Sequence, residues 1–436
     1  MAIYFLNFIF SFFGIYVSTT FLFFLFPSII VFFNRNLEGI VWDSGYNLLV
    51  DKSEAIQLTV IALLITILSY YIFNFLLSGG KLIFNHRISA IKDTKTSNLI
   101  DLNKNFIFIC IFFQVISIYF RIEGGYFFHK DLIGAGNMKE IDSSVYAFEY
   151  INYLLLGLIS IPALTSYKFR LSKLNNILFN LIIILPIVLT GSRARIMPVA
   201  LIFLFSYFRK VITSKKNFFY VFGPIILFLF LIPLLDWLRI TVSLITFSQQ
   251  NVDPTVFYDH IQGFWKIFVG GLIRRLDELP SLAFTIDNIY TLRKENIDIL
   301  SHISFEGLVP FFARDPQFDE QTLVRLMDKY DFRPKSIFGG SSPMTLLGEL
   351  YFFGKESLVY FGSALLGLIF SLYDNYIFKN FVSPKSAFIF GFLSQGILSI
   401  STSPIPTIIS ILSKQVLFAY ACYFLLKSFS VIRELK

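Results

Sequence analysis

Cysteine, histidine and charge are all scarce in this chain, and each shortage closes off a class of protein. The 436 residues include two cysteines, Cys110 and Cys422, both inside apolar runs, so no disulfide framework is implied. The four histidines are scattered, and no Cys-x-x-Cys pair or His-Glu-x-x-His stretch occurs, so neither a metal nor another cofactor is expected. The glycine-rich loops that cradle nucleotide phosphates are missing as well. Charged residues make up 15% of the chain, against about 25% in average soluble domains.

Apolar mass is what the chain has instead. Hydrophobic residues account for 55%, phenylalanine alone for 55 positions, and the mean hydropathy is +0.68. A soluble globule of this length has too little interior to hide so much apolar surface, so the solvent must be lipid. That excludes a soluble enzyme, a small secreted domain and a disordered chain. The net charge of +8 reads as the basic loops of a membrane protein, and nucleic acid is not expected as a partner.

Runs long enough to cross a bilayer lie near Tyr4–Phe33, Ile56–Leu77, Phe106–Phe120, Ser144–Thr165, Leu174–Thr190, Ile196–Phe208, Phe218–Trp237, Ser357–Tyr373, Ala387–Ser401 and Ile405–Leu426. The first contains Pro27 and is readable as one tilted helix or two short ones. No basic segment precedes it, so it reads as a retained span and not a cleaved signal. The fold class is therefore an all-α polytopic membrane protein of about 10–12 helices. Lysine and arginine collect in alternate connections: 82–105, 167–173, 209–217, 374–386 and the tail after Leu426. These segments share one side of a ten-span chain, which places both termini inside.

Between Trp237 and Ser357 the composition changes sharply, with polar stretches such as RRLDELP, RKENIDILSH and ARDPQFDEQ. The chain thus divides into an N-terminal bundle of about seven spans (1–237), one large outer loop (238–343) and a C-terminal group of about three spans (344–436), whose first residues are also readable as a re-entrant segment ahead of the spans. Phe257, Ile261, Phe264, Phe268, Leu272, Leu276 and Leu279 recur at helical spacing, the pattern of an amphipathic helix on the membrane surface. Polar loops on a rigid scaffold commonly carry function, and the candidate residues lie here and at the outer ends of the spans.

Arg193 and Arg195 stand in LTGSRARIMP, a tight outer turn with two arginines and no acid. A guanidinium's planar fork suits phosphate oxygens, while the bland alternative is snorkelling to lipid headgroups. Arg239 follows the seventh span within a turn, and Arg274 and Arg275 lie in GLIRRLDELP. Glu349 is a lone carboxylate in the apolar stretch SSPMTLLGELYFFG, where it needs either a proton or a cationic partner. His302 and Glu306 in SHISFEG are four apart and share a face if helical, and His302 is a candidate general base. Together these residues describe a cationic, lipid-adjacent outer pocket suited to a phosphate-bearing lipid or an anionic solute.

Two stretches carry a resemblance. TGSRARIMPVALIF resembles the GSR turn and following span of Wzy-type polymerases of O-antigen and other oligosaccharide repeat units. SSPMTLLGELYFFGKESLVYFGSALLGLIFSLYD resembles their TP-x-x-LLGE-x-Y-x-x-FG segment, with FGKES a departure at the local turn. The resemblance implies a metal-independent, C-type membrane glycosyltransferase in a bacterial inner membrane, its active site facing the periplasm. Its substrates would be undecaprenyl-diphosphate-linked oligosaccharides, with membrane lipid and a chain-length regulator protein as further partners. On this reading Arg193, Arg195, Arg239, Arg274 and Arg275 hold the diphosphate, and Glu349, then His302, then Glu306, are the candidates for the base. An O-antigen ligase of the same general plan is the nearest alternative. A transporter of lipid-linked sugars or anions, and a structural membrane subunit, are more distant ones.

Overall fold

The computed structural model describes residues 11–33, 52–79, 99–123, 143–165, 167–172, 175, 179–181, 198–204, 206–207, 278–295, 297–302, 344–377, 383–403 and 405–435. Within them the chain is mostly helical. Helix α1 runs through Phe12–Thr20, a π-turn at Phe21–Leu25, and Phe26–Phe33. The Ser11 hydroxyl starts it by accepting the Gly14 N–H at 2.8 Å. Over its described length the first apolar run is thus one helix, although Pro27 stands inside it. Proline has no N–H for the carbonyl four residues back, and that carbonyl, Phe23, is taken at 3.0 Å by the N–H of Glu278 from the large loop.

Helix α2 is Ser53–Leu77, and strand β1, Leu99–Leu102, leads into α3, Lys104–Glu123. Helix α4 is Ser143–Leu164, followed by β2, Lys168–Phe169. In the large loop stand α5, Leu279–Asp287, and α6, Ile289–Leu292, which tightens into a 3₁₀ turn at Arg293–Glu295. The short α7, Ile299–His302, follows. Helix α8 is Leu346–Leu372, extended by a π-turn at Tyr373–Ile377. Helix α9 is Pro384–Ser399, α10 runs from Ile405 to Ser428 around a π-turn at Ile411–Gln415, and β3 is Ile432–Leu435.

Among the described residues four helical stretches are long and apolar enough to cross a membrane: Phe12–Ile29, Ser53–Leu77, Leu346–Tyr376 and Ile405–Ser428. The chain is a helical membrane protein. The expected span at Ser357–Tyr373 corresponds to the second part of α8, which a kink at Lys355 separates from the helical turns that begin at Leu346. The seventh expected span, Phe218–Trp237, and the amphipathic series from Phe257 to Leu276 lie outside the described residues. Leu279, the last member of that series, instead opens α5, a helix whose residues from Leu279 to Ile286 are all buried.

Small residues let the helices approach closely, as expected where lipid supplies no hydrophobic drive between them. Helices α2 and α8 run side by side in the same direction. Glu54 stands close to Tyr351 at one end, Ser69 donates to the Ala364 carbonyl at 2.6 Å, and Tyr70 meets Asp374 at the other end. A methyl group on Gly367 would come within 2.6 Å of the Thr66 carbonyl, so these two backbones nearly touch. Leu64, Leu68, Ile72 and Leu76, spaced by four, form the exposed opposite stripe of α2. Helices α4 and α9 pack antiparallel in the same manner, with Gly391 against the Leu156 carbonyl and Ser160, and Ser160 donating to the Ala387 carbonyl.

A three-stranded sheet in the order β2-β1-β3 is an unanticipated addition. Strand β1 pairs parallel with β2 and antiparallel with β3, placing Asp101 opposite Arg433. Its strands come from three of the basic segments, 82–105, 167–173 and the tail, which therefore meet at one end of the molecule.

Candidate functional site

At the other end of α10 from that sheet, three chain segments converge on one carboxylate. Thr345 caps α8, its hydroxyl accepting the Gly348 N–H at 3.4 Å, so Glu349 falls in the first helical turn. Glu349 Oε2 accepts the N–H of Ile405 at 2.6 Å, in the first turn of α10. The acid is thus shared by two helix N-termini, where negative charge is favoured. Its Oε1 lies 3.2 Å from Nε2 of His302, which ends α7. Relative exposure is 0% for Glu349 and 5% for His302, so bulk water does not screen the pair. The His302 ring also packs against Phe353, with centroids 5.7 Å apart.

The sequence treats Glu349 and His302 as separate candidates, and the structure places them in one contact. Which of the two carries the proton is a property of the pair: carboxylate with imidazolium, or carboxylic acid with neutral imidazole. Either state keeps one exchangeable proton at a buried position between a polar loop and an apolar bundle. Arg193, Arg195, Arg239, Arg274, Arg275 and Glu306 lie outside the described residues.

Next to the pair the helix breaks. Lys355 has φ 53° and ψ −150°, a region that favours glycine, and it follows Gly354, whose Cβ would stand 2.3 Å from Leu358 Cβ. Lys355 therefore marks a break within α8 at the FGKES turn. Arg293 fills part of it, with Nε donating to the Phe352 carbonyl at 2.7 Å. Lys355 Nζ reaches Tyr290 at 3.4 Å and lies over its ring, so α6 is tied to the break at two points. Arg293 escapes a sequence-level search because it sits in the hydrophilic run RKEN, where a solvated charge is the ordinary reading. Gly354 inside an otherwise apolar helix was the available signal that a break was near.

Among the described residues no group of three histidine, cysteine or acidic side chains comes together that could hold a metal ion. No family model, no curated protein and no solved structure matches the chain.

Proposed function

We propose that this protein is a membrane glycosyltransferase that polymerises oligosaccharide repeat units carried on undecaprenyl diphosphate. The observation that carries the reading is the buried Glu349–His302 pair, which joins the large polar loop to the lipid-facing bundle in the segment that resembles Wzy-type polymerases. In the reaction, a hydroxyl at the non-reducing end of one lipid-linked unit attacks the anomeric carbon of the growing chain. The bond from that carbon to the diphosphate oxygen breaks as the new glycosidic bond forms. The hydroxyl proton passes to the Glu349–His302 pair standing as carboxylate and neutral imidazole, which becomes carboxylate and imidazolium, and the diphosphate leaves as an oxyanion.

Each part has a physical counterpart. A proton acceptor positioned in a water-poor site contributes roughly 10²–10⁴ in rate. Glu349, fixed by the Ile405 N–H, orients the imidazole and stabilises its charged form, as an acid does for a histidine base in other enzymes. Arg239, Arg274 and Arg275, expected in the same loop, and Arg193 and Arg195, in the outer turn LTGSRARIMP, are assigned to the charge that develops on the diphosphate. Lipid tails enter from the exposed apolar helix faces.

The two ends of α10 support the proposed location. That helix, Ile405–Ser428, spans about 36 Å at 1.5 Å per residue. Glu349 marks its first turn and the strands from the three basic segments gather at its last. If the basic end faces the cytoplasm, the pair faces the periplasm of a bacterial inner membrane. The test is the surface glycan made by a deletion strain complemented with His302→Gln or Glu349→Gln at normal membrane levels. Each variant should leave core bearing a single repeat, and the double variant should be no worse than either alone, because the two residues act as a unit. Loss of every glycan-bearing band in the deletion strain would point to ligation or flipping instead.

A further inference from the structure

Resting on the lipid-diphosphate reading above, we infer that Arg293 supplies an oxyanion-binding edge to the site, its ligand a phosphoryl oxygen of the substrate. Among the described residues the guanidinium is held through Nε, which donates to the Phe352 carbonyl at 2.7 Å, where α8 breaks at Lys355. Nη2 is buried and meets no acceptor among the described residues. A buried donor left without an acceptor is costly, and an arginine cannot escape the cost by losing its proton. The Phe352 carbonyl orients the group, and the Tyr290–Lys355 contact holds the same short segment against the break.

The position suits a ligand that arrives with its own negative oxygen. Phe352 lies one helical turn beyond Glu349, and its neighbour Phe353 packs on the His302 ring. An anion at Nη2 would therefore sit beside the proton-accepting pair, where a leaving diphosphate develops charge. Nε and Nη2 are on the same rigid fork, so the Phe352 carbonyl prevents the side chain from swinging away. That arrangement is preorganised for an oxyanion in a way that a mobile surface arginine is not.

The test is binding by the purified full-length protein in phosphate-free, uncharged detergent. The probes are farnesyl diphosphate, inorganic pyrophosphate and phosphatidylglycerol, and the variants are Arg293→Lys and Arg293→Gln. Lysine keeps a charge and a donor for the Phe352 carbonyl but lacks the fork, so Arg293→Lys guards against misfolding of the glutamine variant. Farnesyl diphosphate should bind the parent, with pyrophosphate competing. Its affinity should fall roughly 10- to 100-fold in Arg293→Gln and by a smaller factor in folded, monodisperse Arg293→Lys. Equal binding by parent and both variants overturns the role of Arg293, a water then satisfying Nη2, while leaving the proposed function standing. A parent that binds no diphosphate overturns both. Arg293-dependent binding of phosphatidylglycerol in preference to farnesyl diphosphate keeps the phosphoryl site but makes it a headgroup anchor, which contradicts the proposed reaction.

Discussion

Two buried carboxylates stand at opposite ends of α8, and their partners differ in kind. Asp374, 1% exposed, accepts the N–H groups of Phe12 and Phe13 at 2.8 and 3.4 Å and the Tyr70 hydroxyl at 3.0 Å. Amide and phenol donors keep their protons across the physiological range, and through them this acid caps α1 and ties it to α2 and α8. Glu349, also buried, accepts one backbone N–H and faces an imidazole, a group that gains and loses a proton near neutral pH. Burial alone therefore does not mark a functional acid in a membrane bundle. The exchangeability of the partner's proton separates a strut from a reactive group.

The comparison can be broken by exchanging the outcomes. Glu349→Gln should lower polymerisation by roughly 10²–10⁴ while thermal unfolding in detergent moves little. Asp374→Ala should do the reverse, costing about 2–4 kcal/mol because two amides and a phenol lose their acceptor, with turnover per folded molecule close to the parent's. Unfolding curves and glycan yield normalised to folded protein measure both. If Asp374→Ala abolished turnover at full stability, the assignment of the two acids would be inverted.

Smaller effects sharpen the same contrast by probing the frame that holds the ends apart. Gly391→Ala would push a methyl to 2.5 Å from the Leu156 carbonyl, and overpacking of this kind costs about 1–3 kcal/mol. A lowered unfolding temperature checks it, and an unchanged one would mean that α4 and α9 are less tightly apposed. Lys355→Gly should have the least effect. Relief of the positive-φ strain is worth about 1 kcal/mol, partly offset by loss of the Tyr290 contact. A small rise in unfolding temperature is expected, and a fall would show that the Tyr290 contact outweighs the strain.

Much of the scaffold was legible because a bilayer demands uninterrupted apolar runs. Ile56–Leu77 and Ser144–Thr165 correspond to α2 and α4 with little change at their ends. The helical turns from Leu346 to Gly354 were legible only as a stretch leading into the span at Ser357, because Glu349 and Gly354 interrupt the hydropathy, and the cap at Thr345 was not legible. The sheet escaped because strands of two to four residues have no usable period and pair with partners far away in sequence. Pro27 announces a freed carbonyl, but nothing local reveals that Glu278 would take it. Glu349 and His302 were each visible as ionisable residues worth explaining, but 47 positions separate them and only the fold shows the contact. Arg293 was hidden by its polar neighbours, and its significance depends on a carbonyl exposed by a break in another helix.

The central claim is that the buried pair performs a transfer between lipid-linked glycans. It is tested most directly by purified protein supplied with the lipid-linked repeat unit, comparing parent with Glu349→Gln at equal folded concentration. The account predicts a ladder of lengthening lipid-linked glycans from the parent and only the starting unit from the variant. A ladder of the same length and rate from Glu349→Gln would contradict it.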